Sequence, residues 1–107
     1  MSDSPTVSRV ADRFAIEVDG QPAGFAQFVD HDGRRVFFHT EVDDAYAGQG
    51  LASIVVREAL DATREAGLRA VPVCPYVKGW VDKHPDYADL AEDPTRDDFQ
   101  AVRAVGG

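Results

Sequence analysis

The chain has 107 residues, 44% hydrophobic and 28% charged, which is the composition of one ordinary folded domain and excludes wholesale disorder, a collagen-like repeat and a disulfide scaffold. Nineteen acidic residues stand against eleven basic ones, for a formal charge of -8. That field opposes a phosphate backbone or an anionic bilayer unless a basic patch overrides it, and Arg34-Arg35 is the only adjacent basic pair. Neither nucleic acid nor membrane is an expected partner. Cys74 is the single cysteine, so no intrachain disulfide can form. The start, Met1-Ser2-Asp3-Ser4-Pro5, has no basic-then-apolar pattern, and no apolar run nears the ~20 residues of a membrane span. A reducing, cytoplasmic setting and a monomer or weak homodimer are expected.

The first residues carry no clear period and read as loosely held. Residues 13–18 alternate, with Phe14, Ile16 and Val18 on one side, and predict a strand. Asp19-Gly20 predicts a tight turn. A second strand follows over 23–29, then a turn at His31-Asp32-Gly33, then a third strand over 35–42 whose Val-Phe-Phe run suits a central position. These three form an antiparallel meander.

The period then changes. Ala52, Val55, Val56, Ala59, Leu60 and Ala66 recur at helical spacing, so residues 50–66 predict an amphipathic helix, closed by Gly67. Residues 69–73 predict a short strand, with Cys74 at its end and Pro75 stopping it. Val77, Trp80, Val81 and His84 fall at i, i+3, i+4 and i+7, a second short helix ended by Pro85. From Ala91 the chain turns acidic, with Glu92, Asp93, Asp97 and Asp98, and reads as a loose tail holding a short helix around 99–104. The expected order is β-β-β-α-β-α. It is a mixed sheet of the α/β (α+β) class, a meander followed by one βαβ crossover.

Gly48-Gln49-Gly50 lies between the third strand and the long helix. A helix N-terminus has unpaired N–H groups and a partial positive charge. Glycines let a ligand approach the backbone without a Cβ in the way. The N–H groups of Gly48 to Ser53 could therefore converge on a pyrophosphate. No Lys-Ser/Thr follows, so this is not a Walker loop, and the third glycine of the dinucleotide fingerprint is missing. The alternative is a plain connector with a glycine cap.

These residues resemble a known arrangement. His39-Thr40-Glu41-Val42, the turn Gly48-Gln49-Gly50-Leu51-Ala52 and the helix after it are similar to the acetyl-CoA-binding motif of the GNAT superfamily, Gln/Arg-x-x-Gly-x-Gly/Ala. Gly50 takes the first glycine slot and Ala52 the Gly/Ala slot. Ala47 stands where Gln or Arg is usual, a departure at a motif whose work falls mostly to backbone N–H groups. The run from Val71 through Pro72, Val73, Cys74, Pro75 and Tyr76 to Val77, then His84-Pro85-Asp86-Tyr87 and Leu90, resembles the minimal single-domain GNAT-like family.

The resemblance implies one acetyl-CoA-binding domain over 1–107, with its core near 13–90 and an acidic tail over 91–107. It implies an N-acetyltransferase acting on an unidentified amine acceptor, with a non-catalytic acyl-CoA-binding module as the alternative. The pantetheine arm is expected between the strands ending at Val42 and Cys74. Cofactor contacts are expected from Thr40, Glu41, Val42, Gly48, Gln49, Gly50, Leu51, Ala52, Ser53, Cys74, Pro75, Tyr76, Lys78 and Lys83. The helical pair and the extra strand pair of larger superfamily members are absent, which implies an open acceptor side and a large or peptide-like acceptor.

Four residues are candidates for the chemistry. Cys74 could carry the acetyl group as a thiolate, serve as a redox-sensing thiol, or pack as a small hydrophobe. His39 and Glu41 lie two apart on a strand and share a face, so either could deprotonate the acceptor, or both could simply fix the strand end. Tyr87 could protonate the departing thiolate, or its ring could pack under the last helix. Tyr76 and Trp80 read as core or cofactor-lining, Arg57 joins Lys78 and Lys83 as a candidate for the 3′-phosphate, and His84 reads as a helix cap. His31, His39 and His84 are dispersed, so no metal site is expected.

Overall fold

The computed structural model describes residues 5–105. Five strands form one sheet in the order β1-β2-β3-β4-β5: β1 Thr6–Val10, β2 Arg13–Val18, β3 Gln21–His31, β4 Arg34–Val42 and β5 Arg69–Pro72. The first four are antiparallel neighbours, and β5 runs parallel to β4. Three α-helices follow the meander: α1 Leu51–Glu65, α2 Pro75–Lys83 and α3 Arg96–Ala104.

The hairpins are set by two-residue turns. Asp19 and Gly20 have φ of 52° and 78°, and Asp32 and Gly33 have 55° and 75°, the paired positive values that match the twist of flanking strands. The helix α1 returns the chain from β4 to β5, as a parallel pair requires. It buries Leu51, Val55, Val56, Ala59 and Leu60 against Phe14, Ile16, Ala26, Phe28 and Phe37 of the sheet.

Two expectations are corrected. Residues 6–10 are not loose: they form β1 and pair with β2 from Thr6↔Glu17 to Val10↔Arg13. Only Val7 of this edge strand packs on the core, so its alternation is too weak to register as a pattern. The four residues before Pro5, also read as loose, lie outside the described residues. The element order is therefore β-β-β-β-α-β-α-α.

The acidic tail is anchored rather than loose. Thr95 and Asp98 cap α3 reciprocally, and Asp98 is fully buried. Arg34 at the start of β4 donates to both Asp98 oxygens, with Nη2 at 2.9 Å, and also to Glu92 and to the Asp93 carbonyl. Val102 then packs on Val36 and Val71, on the sheet face away from α1. Carboxylates that look solvated in sequence have partners about sixty residues upstream. Gly106 and Gly107 lie outside the described residues.

Candidate functional site

The site begins with a bulge. In the β3–β4 ladder Gln27 pairs with His39 and Phe28 with Phe37, so Phe38 has no opposite number. A bulged strand bends. The β4–β5 pairing stops at that point, with Phe37↔Pro72 as its last rung. The N–H groups of Val73 and Cys74 both donate to the Phe37 carbonyl, at 3.0 and 2.9 Å. Pro75 then opens α2 as a first-turn proline. Beyond Phe37 the two strands part, and the β4 edge from Phe38 to Val42 faces the gap.

Cys74 and Thr40 flank that gap. Cys74 is 6% exposed, and its Sγ lies 3.6 Å from the Thr40 hydroxyl as donor.

The glycine turn lies at the same end of the molecule. Gly48 and Gly50 have φ of 84° and 73°. A Cβ built on either meets nothing within 4 Å, so it would project into the space before α1. Gly50 is the N-cap and supplies no side-chain bond. The first intrahelical bond runs from Ile54 N–H to the Gly50 carbonyl at 3.3 Å, which leaves the N–H groups of Leu51, Ala52 and Ser53 directed out of the helix. Uncapped N–H groups and the positive end of the helix suit an anion there. The cradle therefore fits a pyrophosphate.

Ser53 carries a further preparation. Trp80 Nε1–H donates to its Oγ at 2.8 Å, so the serine retains its own proton to give away. Trp80 is held in turn by His84, which stacks on it at 3.7 Å and donates Nδ1–H to the Trp80 carbonyl at 2.7 Å. The Arg57 guanidinium lies 5.3 Å from the Trp80 ring centre. A cavity of about 350 Å³ opens beside this group, lined by Ser53, Pro75, Tyr76, Trp80, Lys83 and His84.

His39 and Glu41 sit on the opposite sheet face, exposed, with Nε2–H donating to Glu41 Oε1 at 3.1 Å. They share a face as the spacing predicts. Phe25 flanks the His39 ring at 5.7 Å.

Not every candidate converges here. The Tyr87 hydroxyl donates to Asp61 Oδ1 at 2.7 Å, and that bond, with burial, raises its pKa. Asp61 lies ten residues along α1 from Leu51, roughly 15 Å down the axis. The Tyr87 ring packs edge-on against Trp80 at 5.0 Å, so the packing role is the one observed. Lys78 is bound to Asp82 at 2.9 Å, which raises its pKa. It lines a separate cavity with Pro72, Glu92 and Asp93, whereas Lys83 remains beside Ser53. Sequence reasoning missed the Phe38 bulge, the Trp80–Ser53 bond and Asp43, whose carboxylate caps the 3-10 turn Asp44–Tyr46. Only the last had a local signal, an acidic residue just before a turn.

A mixed sheet that parts beside an uncapped, glycine-led helix is the architecture of the GNAT class of acyltransferases. The chain belongs to the family described as GCN5-related N-acetyl-transferase, whose model matches residues 13–90. The NATD1 protein of Bos taurus is 33% identical over 75 residues, 68% of this chain and 66% of that protein. The NATD1 protein of Homo sapiens is 32% identical over the same length and the same shares. The chain thus spans about two thirds of these relatives. The solution structure of a GCN5-like protein from Staphylococcus aureus superposes with a TM-score of 0.68 at 20% identity, covering 90% of this chain and 95% of that one. A ribosomal-protein-alanine N-acetyltransferase from Brucella melitensis gives 0.55 at 22% identity, covering 78% and 62%. At these identities the structural likeness concerns the fold alone.

Proposed function

We propose that the protein is an N-acetyltransferase that uses acetyl-CoA and acts on a primary amine. The observation that carries this reading is the parting of β4 and β5 at Phe37, beside the glycine cradle of α1. The N–H groups of Leu51 to Ser53 and the Ser53 hydroxyl bind the pyrophosphate. The free β4 edge takes the amides of the pantetheine arm as an added strand would. Acetyl-CoA supplies a thioester carbonyl, activated for attack.

Glu41, held by His39, accepts a proton from the acceptor ammonium. The freed nitrogen forms the C–N bond to the acetyl carbon as the C–S bond breaks, its electron pair going to sulfur. The second proton shed by nitrogen neutralises that sulfur. Cys74 is not needed as a carrier, and its buried, hydrogen-bonded thiol favours direct attack by the amine. A second reading, an acyl-CoA-binding module without turnover, draws on the Tyr87–Asp61 bond, which engages a candidate acid elsewhere.

Calorimetric titration with acetyl-CoA, with ADP as control, tests the binding. Saturable heat that ADP reproduces only weakly supports the pantetheine slot. CoA release in the presence of amines then separates turnover from mere binding. No heat and no thermal stabilisation at high acetyl-CoA would remove the proposal.

A further inference from the structure

Before they part, β4 and β5 share only four rungs, from Arg34↔Arg69 to Phe37↔Pro72. The first rung sets two arginines side by side. Each lies two residues before a valine packed under α3, Val36 or Val71, so both emerge on the sheet face away from α1. Like charges opposite each other loosen a ladder. Here Glu92 joins them: one carboxylate oxygen accepts from Arg34 Nη1 and the other from Arg69 Nε at 3.0 Å. The backbone beside it adds to the hold. Ala70 N–H donates to the Leu90 carbonyl at 3.1 Å, and Glu92 N–H donates to the Ala70 carbonyl at 2.8 Å.

The same segment reaches the other end of the pair. Buried Asp98 accepts from Nε and Nη2 of Arg34 and so fixes α3 over the sheet. There Val102 packs on Val36 and Val71, and Phe38 and Val73 pack against that cluster. Phe38 is the residue without an opposite number in the β3–β4 ladder, and Val73 is the first beyond the last β4–β5 rung. These two stand where the strands diverge. One stretch of chain, beyond the residues 13–90 that the family model matches, thus clamps the pair at its base and fills the space beneath its mouth.

We propose that residues 91–104 are a strap that sets how far β4 and β5 stand apart at the cofactor gap, with Glu92 and Val102 as positioning residues that touch no ligand. Glu92 draws the two strand starts together, and the Val102 cluster supports Phe38 and Val73 from below. The pair is a short lever held at its base. Its four rungs span roughly 13 Å, so a shift at the base carries to the gap. The effect on acetyl-CoA rests on the acetyl-transfer reading above, whereas the strand spacing does not. Because coupling between two sites is reciprocal, acetyl-CoA in the gap also tightens the strap.

The test is amide hydrogen exchange read by NMR, with acetyl-CoA titration, on the parent, Glu92→Gln and Gly20→Ala. Glu92→Gln keeps the side chain's shape and leaves the two arginines with no charge between them. Gly20 lies in the β2–β3 turn at φ 78°, so an alanine there strains the fold without touching the strap. In Glu92→Gln, exchange at Val73 and Cys74, whose N–H groups close on the Phe37 carbonyl, should quicken about fivefold more than at Val55 and Val56 of α1, and the Kd for acetyl-CoA should rise about fivefold, the worth of one half-exposed ion pair. Gly20→Ala should quicken all four amides alike and leave the Kd as in the parent. Val102→Ala, which keeps the clamp and hollows the cluster under Phe38, should repeat the pattern of Glu92→Gln. Acetyl-CoA should slow exchange in α3 of the parent. Uniform exchange in Glu92→Gln, a Kd equal to the parent's, or an equal loss of affinity in Gly20→Ala would overturn the strap. If the parent binds no acetyl-CoA, the transfer reading fails, and the exchange pattern alone upholds the strap or removes it.

Discussion

Cys74 donates its thiol hydrogen to the Thr40 hydroxyl across 3.6 Å, at the level where β5 has ended and β4 has bent away. One contact thus bridges the two strands at the mouth of their gap. It also keeps the sulfur buried, the opposite of the exposed, electropositive setting that a nucleophilic thiolate needs.

Cys74→Ala is therefore expected to retain CoA release with amine acceptors, with kcat within a few-fold of the parent. Intact-mass analysis of the parent after incubation with acetyl-CoA alone should show no acetyl adduct on Cys74. Abolished transfer together with a Cys74 adduct in the parent would establish covalent relay instead.

Gly50 is held at φ 73° with open space where a Cβ would stand. Gly50→Ala costs about 1–2 kcal/mol of backbone strain, a drop in Tm of about 5–10 °C for a domain of this size. Gly33 has φ 75°, equal space, and no place in the cradle. Gly33→Ala should lower Tm equally yet leave acetyl-CoA affinity unchanged, whereas Gly50→Ala should raise the Kd for acetyl-CoA by about tenfold, as loss of one charge-assisted hydrogen bond would. Equal affinities in the two variants would exclude the cradle.

Trp80→Phe keeps the stack on His84 and the edge contact with Tyr87 but removes the indole N–H that holds Ser53. The expected stability loss is about 1 kcal/mol, read by urea denaturation. If Ser53 is aligned for a pyrophosphate, affinity for CoA should fall while the response to amines stays as in the parent. A change in amine binding alone would contradict that role.

Burial pushes the Asp98 carboxyl up, but hydrogen bonds from Arg34 and Thr95 overcome it and hold the group below the ordinary aspartate value. A folded-state pKa below the unfolded one, about 3.9, adds stability that is present above that value and lost as pH falls through the folded value. The urea midpoint should decline below about pH 4. In Asp98→Asn the decline should be shallower, from a start about 3 kcal/mol lower at neutral pH, because Arg34 keeps only part of its neutralising set. Identical acid profiles in parent and variant would remove Asp98 from the account.

Much of the fold is legible locally. Asp19-Gly20 and Asp32-Gly33 mark the second and third of the three hairpins because few other residue pairs accept two positive φ values in a row. The spacing of Val55, Val56, Ala59 and Leu60 marks α1, and Gly67, at φ 75°, its end. His39 and Glu41 share a face because strand side chains alternate. Of the candidate site, the glycine cradle is readable for the same reason: its conformational demands fall on the residues that meet them.

The parting of the strands is not readable in this way. It depends on Phe38 lacking a partner, and that follows from the register of Phe28 against Phe37 and of Gln27 against His39, which no window of β4 alone contains. Tyr87 presented a hydroxyl of open purpose until Asp61 of α1 came within 2.7 Å of it. The tail looked solvated because charge density in sequence says nothing of partners, and Arg34 reaches Asp98 across 64 positions. Backbone preference and side-chain period act over a few residues, so the sequence by itself determined the elements and their turns. Registry, ion pairing and the parting of β4 from β5 arise between segments distant in the chain, where only packing in three dimensions decides which groups meet.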